Sequence, residues 1–178
     1  MSDRIRSLVQ QARWKEDIHR LARETCATAE NMRAVALLID DADLVLARRA
    51  SWVFHHGGEF FPQHVPPLVP LLLPPLDANR HPAIRRNVVR ALQMVDLPEK
   101  QLGPVVSRCF DYLIDPAESV ACRAFSVEVL WRACQQESEL MPELEETLLA
   151  VMDHAKPGLR HRAKRTLRAI EKWRTTHG

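Results

Sequence analysis

Apolar residues recur at helical spacing over most of the chain. Leu102, Val105, Val106, Cys109, Phe110 and Leu113 sit three and four apart, on one face of a helix. Val120, Ala124, Val127, Leu130, Trp131 and Cys134 repeat the pattern, as do Leu140, Leu144, Leu148 and Val151, and then Leu159, Ala163, Leu167, Ile170 and Trp173. No run alternates with the period of two that a half-buried strand requires. The pattern predicts helices near 2–13, 15–25, 28–39, 43–57, 62–76, 81–95, 98–114, 117–135, 139–153 and 157–174. Loops between them are only a few residues long, so successive helices are expected to pack antiparallel.

Punctuation residues support these boundaries. Asp115-Pro116-Ala117-Glu118 reads as a helix start, with Asp as N-cap, Pro at the first helical position and Glu completing a capping box. Gly57-Gly58 reads as a helix stop. Pro98, Pro142 and Pro157 suit first turns. Within 62–76, the three prolines of the first half, Pro62, Pro66 and Pro67, predict a late or kinked helix, because each proline past the first turn removes a hydrogen bond.

A longer period underlies the helical one. Four segments carry an acid at a turn and an arginine eight or nine places on: Asp41 with Arg49, Asp77 with Arg86, Asp115 with Arg123, and Asp153 with Arg162. The arginines recur at intervals of 37, 37 and 39. A period near 40 made of two helices is the size of a HEAT or armadillo unit.

The pieces Arg49-Ala50-Ser51-Trp52-Val53, Arg85-Arg86-Asn87-Val88-Val89-Arg90, Leu97-Pro98-Glu99-Lys100, Cys109-Phe110-Asp111-Tyr112-Leu113, Val120 to Val127 and Arg160-His161-Arg162-Ala163-Lys164 carry a resemblance. In this order, over about two thirds of the chain, they resemble HEAT repeats, and more narrowly a group of short uncharacterised bacterial HEAT-like proteins. The resemblance implies an all-α, right-handed α-α superhelix of antiparallel helix pairs. It would form one repeat domain over 1–178, with N-terminal helices in 1–27 and pairs at 28–58, 62–95, 98–135 and 139–174. Second helices of such pairs usually line the concave face, where partners bind. Some members of the group carry an adenylosuccinate lyase label, but the Ser-Ser-x-Met-Pro loop of that much longer family is absent here.

Two arginine columns run through the expected second helices. Arg49, Arg86, Arg123 and Arg162 lie in first halves, where the macrodipole disfavours a cation. In HEAT repeats such arginines form an inter-repeat ladder with turn acids, here Asp41, Asp77, Asp115 and Asp153. Arg48, Arg85 and Arg160 form the other column, with Arg90 one turn along from Arg85. No turn acid is left over for them, so they are expected on the exposed concave face, as a solvated surface or as a strip that binds a carboxylate or phosphate. Trp52 and Trp131 are expected to pack in the core. Some HEAT-like proteins are DNA glycosylases with Trp and Asp on a basic concave surface; here Glu128 is the nearest acid.

Charge and composition narrow the classes. Of 178 residues, 46% are apolar and 27% charged, and the net charge is +2, too small by itself to imply a polyanion partner. Acids crowd 118–153 and bases crowd 156–174, which gives either an acidic helix beside a basic one or a basic end helix for an anionic partner. The four cysteines lack C-x-x-C spacing and read as buried, reduced thiols in a cytoplasmic protein. The most apolar stretch, 65–76, is too short and proline-rich to cross a bilayer. His55 and His56 point about 100° apart on a helix, and with His64 are explained as a helix end and turn, not a metal site. No nucleophile elbow, phosphate loop or dinucleotide fingerprint occurs, so no enzyme and no cofactor is expected. The expected function is a scaffold or interaction module for a protein or acidic peptide, with self-association through the acidic and basic faces as one form. The alternative is a nucleic-acid-binding HEAT-like protein related to the glycosylases.

Overall fold

The computed structural model describes residues 2–77 and 81–177. Among them there is no strand. The α-helices are α1 (Ser2–Gln11), α2 (Lys15–Thr25), α3 (Ala29–Leu37), α4 (Leu44–Phe60), α5 (Val69–Leu72), α6 (Pro82–Leu92), α7 (Glu99–Ile114), α8 (Val120–Gln136), α9 (Met141–Met152) and α10 (Pro157–His177). None is long and apolar enough to cross a membrane.

Local chemistry accounts for most boundaries. Asp43 accepts from the amides of Val45 and Leu46 at 2.9 and 3.2 Å and starts α4. Thr28 caps α3 through Asn31 N–H, and His81 Nδ1 caps α6 through Ala83 N–H. Pro157 opens α10. The helix expected over 62–76, late or kinked, is not formed: 3-10 turns at Pro62–His64, Pro66–Leu68 and Pro74–Leu76 flank the single turn α5, because the prolines remove more bonds than a kink can absorb. Its 3-10 bonds (Val65 N–H to Pro62 O, Leu68 N–H to Val65 O) use amides that the prolines leave available. Val65, Leu68, Val69, Leu72 and Leu76 are still buried.

Two boundary expectations are overturned. Gly57-Gly58 does not stop a helix; both lie inside α4, which runs on to Phe60. Ideal Cβ atoms show why glycine is needed at 57: one built there would lie 2.5 Å from Cys26 Sγ and 2.8 Å from Cys26 Cβ. The residue pays for close approach of two chain segments, not for a left-handed turn. Asp115 and Glu118 do not form a capping box either. Helix α8 begins at Val120 with Ser119 as N-cap, donor Cys122 N–H at 3.2 Å. Asp115 instead accepts from Ala117 N–H at 2.8 Å in the turn before it.

Second helices of successive pairs stack directly: α2 on α4, α4 on α6, α6 on α8, and α8 on α10. First helices touch their counterparts only slightly, as α3 does α5 and α7 does α9. One continuous core threads the layers, through Ile18, Met32, Phe54, Leu72, Ile84, Leu92, Leu113, Leu130, Leu144 and Ile170. Each such side chain contributes about 1.5–3 kcal/mol on burial. All four cysteines are buried and free, and burial pushes the thiols of Cys26, Cys109 and Cys134 up to about 12. Trp52 and Trp131 pack part-buried against this core.

Gly103 is the opposite case to Gly57. It lies inside α7, and a Cβ there would meet nothing within 4 Å. Gly103→Ala is expected to raise stability by about 0.5–1 kcal/mol, since alanine loses less backbone entropy in a helix. A melting midpoint raised by roughly 2 °C would show it; an unchanged or lower midpoint would count against the open environment.

Candidate functional site

Ion pairs do join neighbouring layers, but in other pairings than those of the expected ladder. Arg6 of α1 holds Asp41, Arg108 holds Asp77 at 2.6 Å, Arg132 holds Asp96 at 2.7 Å, and Arg162 and Arg165 both hold Glu128. Arg174 of α10 reaches Glu145 of α9 at 2.6 Å, so the basic end helix lies beside the acidic one. The Arg6 guanidinium, followed by the Asp43 amide, holds the Asp41 carboxyl below its usual range. Two expected ladder acids thus keep an arginine, each from a different element than the spacing suggests. Arg123 donates to the Leu113 carbonyl at 3.0 Å, and Asp153 is exposed at the end of α9. Spacing places residues at bends; the rotation between layers decides which of several arginines meets which acid.

The expected exposed strip is also corrected. Arg85 is not exposed: its side chain is 13% accessible and donates through Nε and Nη2 to Glu118 Oε2, at 3.0 and 2.8 Å. Glu118 is buried, and its Oε1 accepts from Ser119 N–H. Arg90 pairs with Glu59 at 2.7 Å and lies over the Phe125 ring. Arg160 donates to the Met152 carbonyl and closes the end of α9. Of that strip Arg48 and Arg160 are exposed with no ion-pair partner among the described residues, and Arg160 is engaged by the Met152 carbonyl.

Arg48 opens onto a different basic site. A cleft of about 380 Å³ lies between α4 and α6 and is closed by the chain after α1. Arg13, Arg48, Arg49, Trp52, Arg86 and Asn87 line it, together with Ala12, Val45 and Ala83. None of the lining residues is acidic. Among the described residues no acid pairs with any of its four arginines. Arg49 donates to the Gln10 carbonyl and Arg86 to Asn87 Oδ1 at 3.3 Å. Asn87 Nδ2 donates to Ser51 Oγ, and Ser51 donates to the Arg48 carbonyl, a buried chain that fixes α4 against α6 beneath the arginines. The first amides of α4 and α6 are already capped by Asp43 and His81. Anion affinity here therefore falls to the guanidinium groups, which suit carboxylate or phosphate.

Sequence reasoning found Arg48, Arg49 and Arg86 but divided them between two columns. It missed Arg13, which sits in the turn after α1 and carries no periodic signal. Glu128, the acid nearest to a glycosylase role, is held by two arginines. The histidines also differ from expectation. His55 and His56 lie within α4, and α2 brings His19 against them, with the His19 and His56 ring centroids 4.9 Å apart. His64 sits apart from these, its Nδ1 3.1 Å from the Cys26 carbonyl.

A family model of the HEAT repeat domain matches residues 5–170. The chain belongs to the HEAT repeat family. No curated protein matches this HEAT repeat chain in sequence. Solved structures share its architecture at low identity. An engineered protein from a structural genomics consortium superposes with a TM-score of 0.65 at 13% identity, covering 94% of this chain and 79% of its own. A designed armadillo repeat protein in complex with the peptide (KR)4 gives 0.60 at 15% identity, covering 93% and 80%. Computationally designed armadillo repeat proteins for modular peptide recognition give 0.59 at 15%, covering 94% and 88%. At such identities the likeness establishes an armadillo-like α-solenoid and nothing finer.

Proposed function

We propose that this HEAT repeat protein is a non-catalytic interaction module whose arginine cleft takes an acidic segment of a protein partner. One observation carries the reading: Arg13, Arg48, Arg49 and Arg86 converge on a single cleft without an acid among them, while the arginines that join layers elsewhere have one. Four like charges held together repel one another, and a carboxylate-rich ligand relieves that repulsion. Trp52 in the cleft wall offers an apolar platform beside the charges, the pairing of Trp and Arg that dominates binding energy at protein interfaces. A cleft of this size accepts one or two side chains, so the ligand is an anchor residue in a longer peptide laid along the second helices. A designed armadillo protein of similar fold binds a basic peptide; the opposite sign of this cleft calls for an acidic one. Free, buried thiols support a reducing compartment such as the cytoplasm. We take residues 1–178 as one working unit.

The test is anisotropy of a fluorescent glutamate-rich peptide titrated with the protein. Charged hydrogen bonds contribute about 1.5–3 kcal/mol each, so Arg48→Glu with Arg86→Glu is expected to weaken binding roughly 100-fold or more. The melting midpoint should stay close to that of the parent, because neither arginine holds an acid. Unchanged affinity in the double variant would remove the cleft from the function. Preference for single-stranded DNA over the peptide, weakening log-linearly with salt, would make nucleic acid the partner instead.

A further inference from the structure

Helix α2 brings His19 against His56 and Glu59 of α4. Each of the three offers one ligand atom, and these three atoms lie within 4.8 Å of one another. His56 and Glu59 are three residues apart on one face of α4, a spacing that lets an imidazole and a carboxylate converge. His56 Nδ1 already stands 2.7 Å from Glu59 Oε2. We propose that His19, His56 and Glu59 bind one divalent transition-metal ion of the zinc class, which pins α2 to α4.

The ligand set has the right chemistry. Two imidazoles and one carboxylate are a recognised zinc set, leaving the fourth position to water. Hard cations such as magnesium prefer all-oxygen cages, which this trio does not supply. Around zinc, ligand atoms of a tetrahedral set stand about 3.4 Å apart, within small rotamer adjustments of the present arrangement.

The surroundings hold the ligands in place. Arg90 donates to Glu59 Oε1 at 2.7 Å, which orients the carboxylate and leaves Oε2 to the metal. Phe60 packs edge-on against the His19 ring at 4.9 Å. His19 lines an open cleft of about 610 Å³ on the outside of α2, which gives an ion a way in. The positive charges of Arg90 and Arg23 work against a cation, so a moderate affinity is expected.

A second observation lies beside the trio. His55 is 2% exposed, and neither ring nitrogen has a hydrogen-bond partner among the described residues. Its ring centroid is 4.0 Å from that of His56. A helix that carries such a group next to two converging ligands has donor capacity that the protein itself does not use.

Equilibrium dialysis of the chelator-treated protein against zinc chloride tests the site, with bound metal counted by mass spectrometry. The expected result is one zinc per chain, a raised melting midpoint in zinc, and no such rise in magnesium. His19→Ala and Glu59→Gln should each weaken zinc binding at least 10-fold and abolish the rise. Glu59 is partly exposed and its amide is isosteric, so Glu59→Gln folds even if His19→Ala does not, and its result then decides. Cobalt in place of zinc should give the intense visible absorption of a tetrahedral site, lost in Glu59→Gln. No retained zinc, or equal retention by parent and Glu59→Gln, overturns the proposal. Neither result bears on the arginine cleft, which shares no residue with this site.

Discussion

Replacing Glu118 by alanine is expected to destabilise the protein by about 3 kcal/mol or more. The Arg85–Glu118 pair is the most enclosed of the ion pairs described, with side chains 13% and 2% accessible. It joins α6 to the turn before α8. Removing the acid leaves a desolvated guanidinium without its carboxylate, beside the Tyr112 ring, and takes the acceptor from Ser119 N–H. An exposed pair such as Arg108–Asp77 has water to replace its partner, and its loss is expected to cost less than 1 kcal/mol. For a chain of this size the melting midpoint should fall roughly 6–12 °C in Glu118→Ala. Replacing both partners, Arg85→Met with Glu118→Leu, should recover most of the loss, because no buried charge then remains. A drop below about 1 kcal/mol in the single variant would show that water reaches Arg85 freely.

Gly57→Val is the second large effect, expected near 3 kcal/mol, with Gly57→Ala losing less. Helix propensity alone predicts the opposite sign for alanine, a gain of about 1 kcal/mol inside α4. The close approach of Cys26 decides against propensity. Its Sγ can swing away from a new Cβ, but its own Cβ, 2.8 Å off, moves only with the backbone after α2. Forcing extra carbon into a packed core costs about 1–3 kcal/mol, more for a branched side chain. Urea unfolding of the variants, with Gly103→Ala as the case where propensity prevails, separates the two effects. A stabilised Gly57→Ala would mean that α2 and α4 have room to part.

How much of this was legible beforehand differs by level. The solenoid was, because period-3.6 apolar stripes, short loops and a near-40 residue period each leave marks in the sequence. That the prolines disturb 62–76 was legible, but they break it into 3-10 turns and one helical turn where a late or kinked helix was expected. Helix stops were less so: Gly57 looks like a terminator, because a sequence does not show that another helix lies against it. The Asp115 start signal failed for a related reason. Glu118 was placed as a local capping acid, but in the fold it answers Arg85, 33 residues away.

The candidate site was half legible. Arg48, Arg49 and Arg86 stand out by their recurrence, yet recurrence could not tell a layer-joining arginine from a free one. Arg13 and His19 carried no signal, since each matters only through helices packed against it.

The order of amino acids therefore determined the units: which stretches coil, which face of each is apolar, and how many residues make a layer. These follow from interactions within a few residues of chain, which recur wherever the local pattern recurs. Only the tertiary structure decided how the layers turn against one another. That rotation moves long side chains by several ångströms, and so it chose which arginines are neutralised, which are left to a partner, and which histidines meet.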